Sequence, residues 1–211
     1  MANDKFSIKD ALNYGWTSFK THVPFFLGFI VIMAVITIAP DRLTEIMFEP
    51  RTAPFVIGKL LVRLLGLLLG MVATRLSLDI HDKGKPDYAR LSDLLPLILY
   101  YLGGKILYGL IVMVGLVLLI VPGCIWAYMF LYVGFLTIDK GLSPVAALQE
   151  SRAMTHGYKL DLFLFSLAIA LLNIVGMICL LVGLLVTIPV TLMASVYVYR
   201  KLSPPAEPAA A

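Results

Sequence analysis

Two basic residues, Arg63 and Lys105, lie inside long apolar stretches of the sequence, where charged side chains are rare. Arg63 is about nine residues and Lys105 about eleven residues from the start of its stretch, so both are predicted near the middle of a bilayer. A charge at that depth costs on the order of 3 kcal/mol even on the lenient insertion scale. Asp79, Asp139 and Asp161 are all predicted near the ends of apolar stretches, so neither cation has an evident carboxylate partner.

Another group must then stabilise the charges of Arg63 and Lys105. One interpretation is a cavity that binds an anion such as a lipid phosphate, and we predict these two residues as its ligands. The other interpretation is structural, with each cation paired to backbone carbonyls and polar side chains. Lys59 and Arg75 lie nearer the two ends of the stretch that contains Arg63, and we expect both to extend towards the headgroups.

Sequence patterns typical of catalysis are scarce. The chain has no HExxH, no pair of CxxC motifs, no GxSxG and no glycine-rich phosphate-binding loop with a lysine. His22, His81 and His156 are far apart, and the alternative of a metal site at His81 with Asp79 and Asp82 is less favoured than a solvated loop. We therefore predict no enzymatic activity, no catalytic residue, no metal site and no cofactor, and an intramembrane enzyme is the least favoured alternative.

The composition places these residues in a membrane protein. The chain has 211 residues, of which 60% are hydrophobic and 14% charged, and its mean hydropathy is +0.93. Soluble domains carry about 25% charged residues. These values exclude a water-soluble enzyme, a nucleic-acid-binding domain and a disordered regulator. Cys124 and Cys179 both lie in apolar runs without the spacing of a metal site or a disulfide framework.

Six apolar segments predict six membrane-spanning helices in a single domain over residues 1–202. The first is expected to be a retained anchor rather than a signal peptide, because a long charged segment precedes it. The Pro/Ala-rich residues 203–211 are expected to form a disordered tail. The predicted spans are residues 23–39, 54–78, 94–121, 124–138, 160–182 and 184–199.

Two amphipathic helices are predicted at the membrane interface. The first covers residues 7–21 and is capped by Ser7, with Trp16 and Phe19 expected to face the membrane. The second begins at Ser143, and the two align at an offset of 136 residues, each followed by two spans. The pattern predicts an all-α polytopic bundle built from repeated helical hairpins, each preceded by an interfacial amphipathic helix.

The basic residues concentrate on one side of this six-span arrangement. That side contains both termini, whereas the loops of the other side carry only Arg42 and Arg51, balanced by acids. The positive-inside rule then places both termini in the cytoplasm. The formal net charge of +4 is explained by this orientation rather than by binding to nucleic acid.

Short motifs in the second half of the chain occur in a familiar order. With them, the chain resembles the YciC-like proteins and the membrane domain attached to some glycerophosphodiester phosphodiesterases, and it is similar over most of its length. This resemblance implies a polytopic helical fold in the bacterial plasma (inner) membrane and carries over no catalytic residue, since the phosphodiesterase chemistry belongs to a separate soluble domain. The motifs are IVPG at 120–123, DKG at 139–141, AALQESR at 146–152, GLLVTIP at 183–189 and YVYRKL at 197–202.

We therefore expect a non-enzymatic protein whose partner is the lipid bilayer and which binds or handles anionic lipid through Arg63 and Lys105. A small-solute transporter or channel is the alternative. Pro189 favours it by marking a kinked or broken helix, but polar residues within the spans are few. No particular protein partner or oligomeric state is predicted.

Overall fold

The computed structural model of the chain describes residues 6–118, 120–179 and 182–203, with the side chains of residues 120–122 and 124 outside that description. Within these ranges the chain forms nine α-helices and one 3₁₀ helix and no strand, which confirms the all-α class. The helices are α1 Ile8–Thr21, α2 Val23–Met47, α3 Ala53–Lys83, the 3₁₀ helix Tyr88–Leu97, α4 Ile98–Leu118, α5 Ile120–Met129, α6 Val133–Lys140, α7 Pro144–Met154, α8 Lys159–Ile178 and α9 Leu184–Leu202.

Among the described residues, five helical segments are long and apolar enough to cross a membrane: α2, α3, the 3₁₀ helix with α4, α8 and α9. Large apolar side chains on these segments remain exposed, including Leu99 at 78% and Val117 at 82%. A soluble protein would bury such residues, whereas a bilayer covers them with lipid. The fold is therefore that of a multi-pass helical membrane protein.

The predicted fourth span over residues 124–138 is not one continuous helix. The chain forms α5 and α6 here, separated by a turn at residues 130–132, and neither helix is long enough to span alone. Residues 130–132 contain neither Pro nor Gly, so no local signal in the sequence marks this turn, and the expectation of a single helix was wrong. Contacts of Tyr132 in the folded bundle accompany the turn instead. Tyr132 is fully buried against Phe135 and Tyr199, with ring centroids 5.6 and 5.8 Å away.

Two predicted boundaries also differ. α2 continues through Pro40 to Met47, where a loop was expected. Within this extension the Thr44 hydroxyl donates to the Pro40 carbonyl at 2.8 Å. α3 extends five residues beyond its predicted end and stops at Gly84, whose φ of 72° favours glycine. A helix of 31 residues is about 46 Å long, so α3 exceeds the hydrocarbon core of about 30 Å.

The first helix packs against the last. α1 begins at its predicted cap, where the Ser7 hydroxyl accepts from the Asp10 amide at 3.2 Å. A Cβ on Gly15 would collide with the backbone of Val190, so α1 and α9 are in direct contact. Phe19 is only 6% exposed and faces the protein rather than the membrane, which corrects our expectation, while Trp16 remains 44% exposed.

The bundle has two ends. At the near end, α3, α6 and α9 meet around Arg200, and His22 Nε2 lies 3.0 Å from the Gly84 carbonyl. The far end contains the junction of α2 with α3 and the close approach of Gly115 in α4 to Gly123 in α5. Both described termini pack at the near end, and Ser203, predicted in the tail, is buried as the C-cap of α9. Residues 204–211 lie outside the described residues.

Candidate functional site

Arg63 lies on the exposed surface of α3. In the described part of the chain it has no hydrogen bond and no ion pair, and it lines none of the cavities described below. An arginine on an outward face can extend its aliphatic stem along lipid towards the interface. The position of Arg63 is therefore that of a lipid-facing cation.

Lys105 has a different environment, inside the bundle. It is half-buried on α4, with its Nζ 5.4 Å from the centre of the Tyr101 ring. A Cβ added to Gly134 would lie 3.4 Å from this Nζ, so the ammonium group faces the start of α6. No acidic side chain within the described residues forms an ion pair with it. Lys105 lines a cavity of about 150 Å³ together with Tyr108, Phe130, Leu131, Val133 and Gly134.

None of the cavities found in the described part of the chain is lined by both predicted ligands. Arg63 and Lys105 lie on different helices, and only Lys105 reaches a described cavity. An anion site that needs both cations therefore has no geometric support. Of the two, Lys105 is the one that faces a cavity inside the bundle.

The cavity at Lys105 adjoins the break between α5 and α6. Because the helix stops at Met129, the carbonyl of that residue loses its usual helical partner. It accepts instead from the Ser151 hydroxyl at 2.9 Å and from the Thr155 hydroxyl at 3.1 Å. Both side chains are fully buried, so α7 is attached to the break.

The attachment of α7 to the helix break was not predicted from the sequence. We expected the helix after Ser143 at the membrane interface, and its Ser143 cap does form, accepting from the Ala146 amide at 3.4 Å. Ser151 and Thr155 are four residues apart and therefore on one face. That spacing was the available signal, but only the structure shows which carbonyl these hydroxyls meet.

A cluster of buried charges occupies the near end. Arg200 lies on α9 with 7% of its side chain exposed, and it binds two carboxylates at once. It donates to both oxygens of Asp82 at 3.0 and 2.6 Å and to both oxygens of Asp139 at 2.6 and 2.8 Å. The Tyr199 hydroxyl donates to Asp139 at 2.7 Å. Paired geometry of this kind gives strong, directional hydrogen bonds.

The same cluster continues around Asp79, which is 2% exposed. Arg75 Nε lies 3.6 Å and Arg90 Nη1 3.4 Å from its carboxylate oxygens, and Arg75 also donates to the Ile138 carbonyl at 3.4 Å. Arg75 was expected to extend to the headgroups, and the segment around Asp79 was expected to be a solvated loop. Both expectations were wrong, because α3 runs past its predicted end and carries these residues into the protein.

The residues of the alternative metal site, His81 with Asp79 and Asp82, contact other side chains. Asp79 and Asp82 are bound to arginines, and His81 packs edge-on against Tyr14 with ring centroids 4.9 Å apart. Outside the spans, Lys83 donates to Asp87 at 2.7 Å and thereby lowers the pKa of that carboxyl. Asp79, Asp82 and Asp87 are therefore already paired with basic side chains.

The two charged regions have different chemical capacities. In the near-end cluster the charges of three arginines and three aspartates cancel. These residues therefore link the helices to one another. Lys105 keeps an uncompensated charge beside a cavity, which is the arrangement that can bind an anion. No protein-family model, curated protein or solved structure matches the chain, so its function is inferred from this geometry.

Proposed function

We propose that the protein is a non-enzymatic protein of the bacterial inner membrane that binds anionic lipid through Lys105. The observation that carries the proposal is an ammonium group directed into a cavity beside a helix break, with no carboxylate paired to it among the described residues. Lys105 is seven residues into α4, about 10 Å along the helix from its near-end start. A lipid phosphate that enters the cavity from the near-end surface would therefore move about two helical turns to meet the ammonium group.

A six-crossing topology accompanies this proposal. The broken segment begins at the far end, where Gly123 meets Gly115, and ends at the near end, where Asp139 meets Arg200. Counted as one crossing, α5 with α6 joins the five long segments and leaves both termini on one side. The positive-inside rule makes that side cytoplasmic. In this topology the cytoplasmic segments carry the basic residues Lys9, Lys20, Lys83, Lys85, Arg90, Lys140, Arg152, Lys159, Arg200 and Lys201.

The repeated hairpins and the YciC-like family are part of the same proposal. α1 and α7 both start at a serine cap and both precede a pair of long helices. Each packs mainly against helices outside the pair that follows it, α1 against α9 and α7 against α4 and α6. The offset of 136 residues predicts two units in which a capped helix precedes two spans, and the serine caps and chain positions of α1 and α7 support that proposal.

The test is native mass spectrometry of the protein released from mild detergent. We expect copurified anionic phospholipid on the wild type and a reduced lipid-bound fraction for Lys105→Ala. Arg63→Ala is the matched control, because it removes one cation from an exposed helix surface without altering the cavity. Equal lipid retention by Lys105→Ala and wild type would overturn the proposal.

A small-solute transporter is a second candidate, favoured by the break itself. Discontinuous helices mark binding sites in many transporters, where freed backbone groups and helix ends contact the solute. Here Ser151 and Thr155 already occupy the Met129 carbonyl, which weighs against an open pathway. Release of radiolabelled inorganic phosphate from proteoliposomes is the check, and release faster than from protein-free vesicles would favour transport.

A further inference from the structure

A second cavity adjoins the one at Lys105. It has a volume of about 370 Å³ and is lined by Ile111, Trp126, Met129, Phe130 and Arg152. Phe130 lines both cavities, so they lie next to each other at the helix break. The first cavity contains a lysine from α4 and the second an arginine from α7.

Arg152 resembles Lys105 in lacking an acid partner. Its side chain is exposed on α7 and forms no ion pair or hydrogen bond with the described residues. The neighbouring acid, Glu150, binds Lys140 at 3.4 Å instead. No acidic residue lines either cavity, so the two cations create a region of positive potential that is not balanced locally.

The position of Arg152 is fixed by the residues beside it. Ser151 precedes it directly and binds the Met129 carbonyl, and Thr155 binds the same carbonyl three residues later. α7 is therefore attached to the break on the side where Arg152 meets the second cavity. This attachment fixes the backbone of Arg152 relative to the cavity, so its guanidinium stays within reach of the same wall.

The walls of the second cavity indicate the class of ligand. Apart from Arg152, its lining side chains are apolar: Ile111, Trp126, Met129 and Phe130. Such walls offer nothing to a free inorganic phosphate but match a hydrocarbon chain. An arginine above an apolar wall, with a lysine in the next cavity, matches a molecule that carries a phosphate and an acyl chain together.

We infer that Lys105 and Arg152 together bind the headgroup of an anionic glycerophospholipid, whose acyl chain lies along Ile111 and Trp126. This inference rests on the proposed function at Lys105 and adds the second ligand, the position of the chain and the participation of α7. α7 thereby contributes to the lipid site as well as to the helix break.

Trp126 provides a direct probe of the acyl chain. The sequence has two tryptophans, so Trp16→Phe leaves Trp126 as the only one. In bilayers of defined composition, phospholipids with brominated acyl chains quench a tryptophan that they contact. We expect an anionic brominated phosphatidylglycerol to reach half-maximal quenching at about one-fifth of the lipid fraction needed by brominated phosphatidylcholine.

The variants separate this inference from the proposed function. Arg152→Ala and Lys105→Ala should each abolish most of that five-fold preference, and Arg152→Gln replaces Arg152→Ala should the alanine variant not fold. Lys159→Ala is the matched control, because it removes one near-end cation that lines neither cavity, and it should keep the preference. Size-exclusion elution and the Trp126 emission maximum check that each variant retains its fold.

Each outcome has a definite meaning. Loss in both variants supports the two-cation lipid site. Loss in Lys105→Ala alone overturns the role of Arg152 and leaves the proposed function standing, whereas no loss in either variant overturns both. Loss in Arg152→Ala alone overturns the role of Lys105 and with it the paired site. Removal of the preference by millimolar inorganic phosphate would identify free phosphate as the ligand and overturn the lipid assignment.

Discussion

The near-end cluster and the break at Lys105 use the same types of residue in opposite ways. In the cluster, Arg200 binds Asp82 and Asp139, and the chain itself supplies both signs of charge. At the break, Lys105 has a cavity in place of a carboxylate. Removing one member of a buried pair destabilises the fold because the other charge is left uncompensated, whereas a cation that has no partner costs free energy until a ligand from outside neutralises it. The contrast separates residues that hold the helices from residues that can bind.

Arg200→Ala tests the paired side of this contrast and is expected to have the largest effect on stability. Removing the guanidinium leaves Asp82 on α3 without its partner and leaves Asp139 on α6 with the Tyr199 hydroxyl alone. We expect the free energy of unfolding to fall by about 3 kcal/mol, at the lower end of the range for broken buried pairs, because the Asp82 side chain is 31% exposed. Unfolding titrations in mixed micelles measure it. Lys201→Ala, one residue away and exposed, is the control and should change stability by less than about 0.5 kcal/mol.

The break is predicted to depend on hydroxyls rather than on charge. The double variant Ser151→Ala, Thr155→Val removes both donors to the Met129 carbonyl and should lower the free energy of unfolding by about 2 kcal/mol, because a buried carbonyl is left without a partner. Mixed-micelle unfolding provides the value. Thr21→Val removes an exposed hydroxyl that binds only its own helix and should have little effect. Two equal effects would mean that α7 is not held by these bonds.

Lys105→Met tests the other side of the contrast. It replaces an unpaired cation by an apolar side chain of similar length, and no acid is left behind. We therefore expect stability in lipid-free detergent to rise by about 1 kcal/mol, opposite in sign to Arg200→Ala. Thermal unfolding of delipidated protein is the measurement, with Lys85→Met on an exposed loop as the control. A loss of stability would place Lys105 among the residues that hold the fold.

The smallest effect is expected at the far end, where Lys59 binds Asp41 at 2.7 Å and Glu45 at 2.8 Å. The acids are 38% and 42% exposed, so the pairs are screened by solvent. Lys59→Ala should lower stability only slightly, and by less than any of the preceding destabilising variants. The loss should shrink in high salt, as measured by thermal unfolding at two ionic strengths. A loss as large as that of Arg200→Ala would remove the distinction between buried and exposed pairs.

The parts of the fold that sequence analysis predicted are those set by local chemistry. Ser7 and Ser143 cap helices as expected, and long apolar runs form long helices. Pro40 was taken as a helix end, but α2 continues through it to Met47. A proline removes one backbone hydrogen bond and weakens or kinks a helix without always ending it, so this local signal alone does not fix the boundary.

The candidate site was predictable only in part. The apolar context identified Lys105 as unusual, but it gave the same weight to Arg63, because depth along a helix does not reveal which face a residue occupies. Arg75 meets the Ile138 carbonyl across 63 residues of sequence, and no local pattern contains that contact. Arg152 was part of a motif, yet its relation to the cavity depends on how α7 packs on the break.

The contact between α1 and α9 sets an order of events during synthesis. α1 is made first, but its main partner is the last helix, about 160 residues later. At about 5–20 residues per second, α1 waits roughly 10–30 s on the ribosome-bound chain before α9 emerges. An amphipathic helix can spend that time on the membrane surface. Gly15 then receives the backbone of Val190, and the completed bundle closes on the segment that was made first.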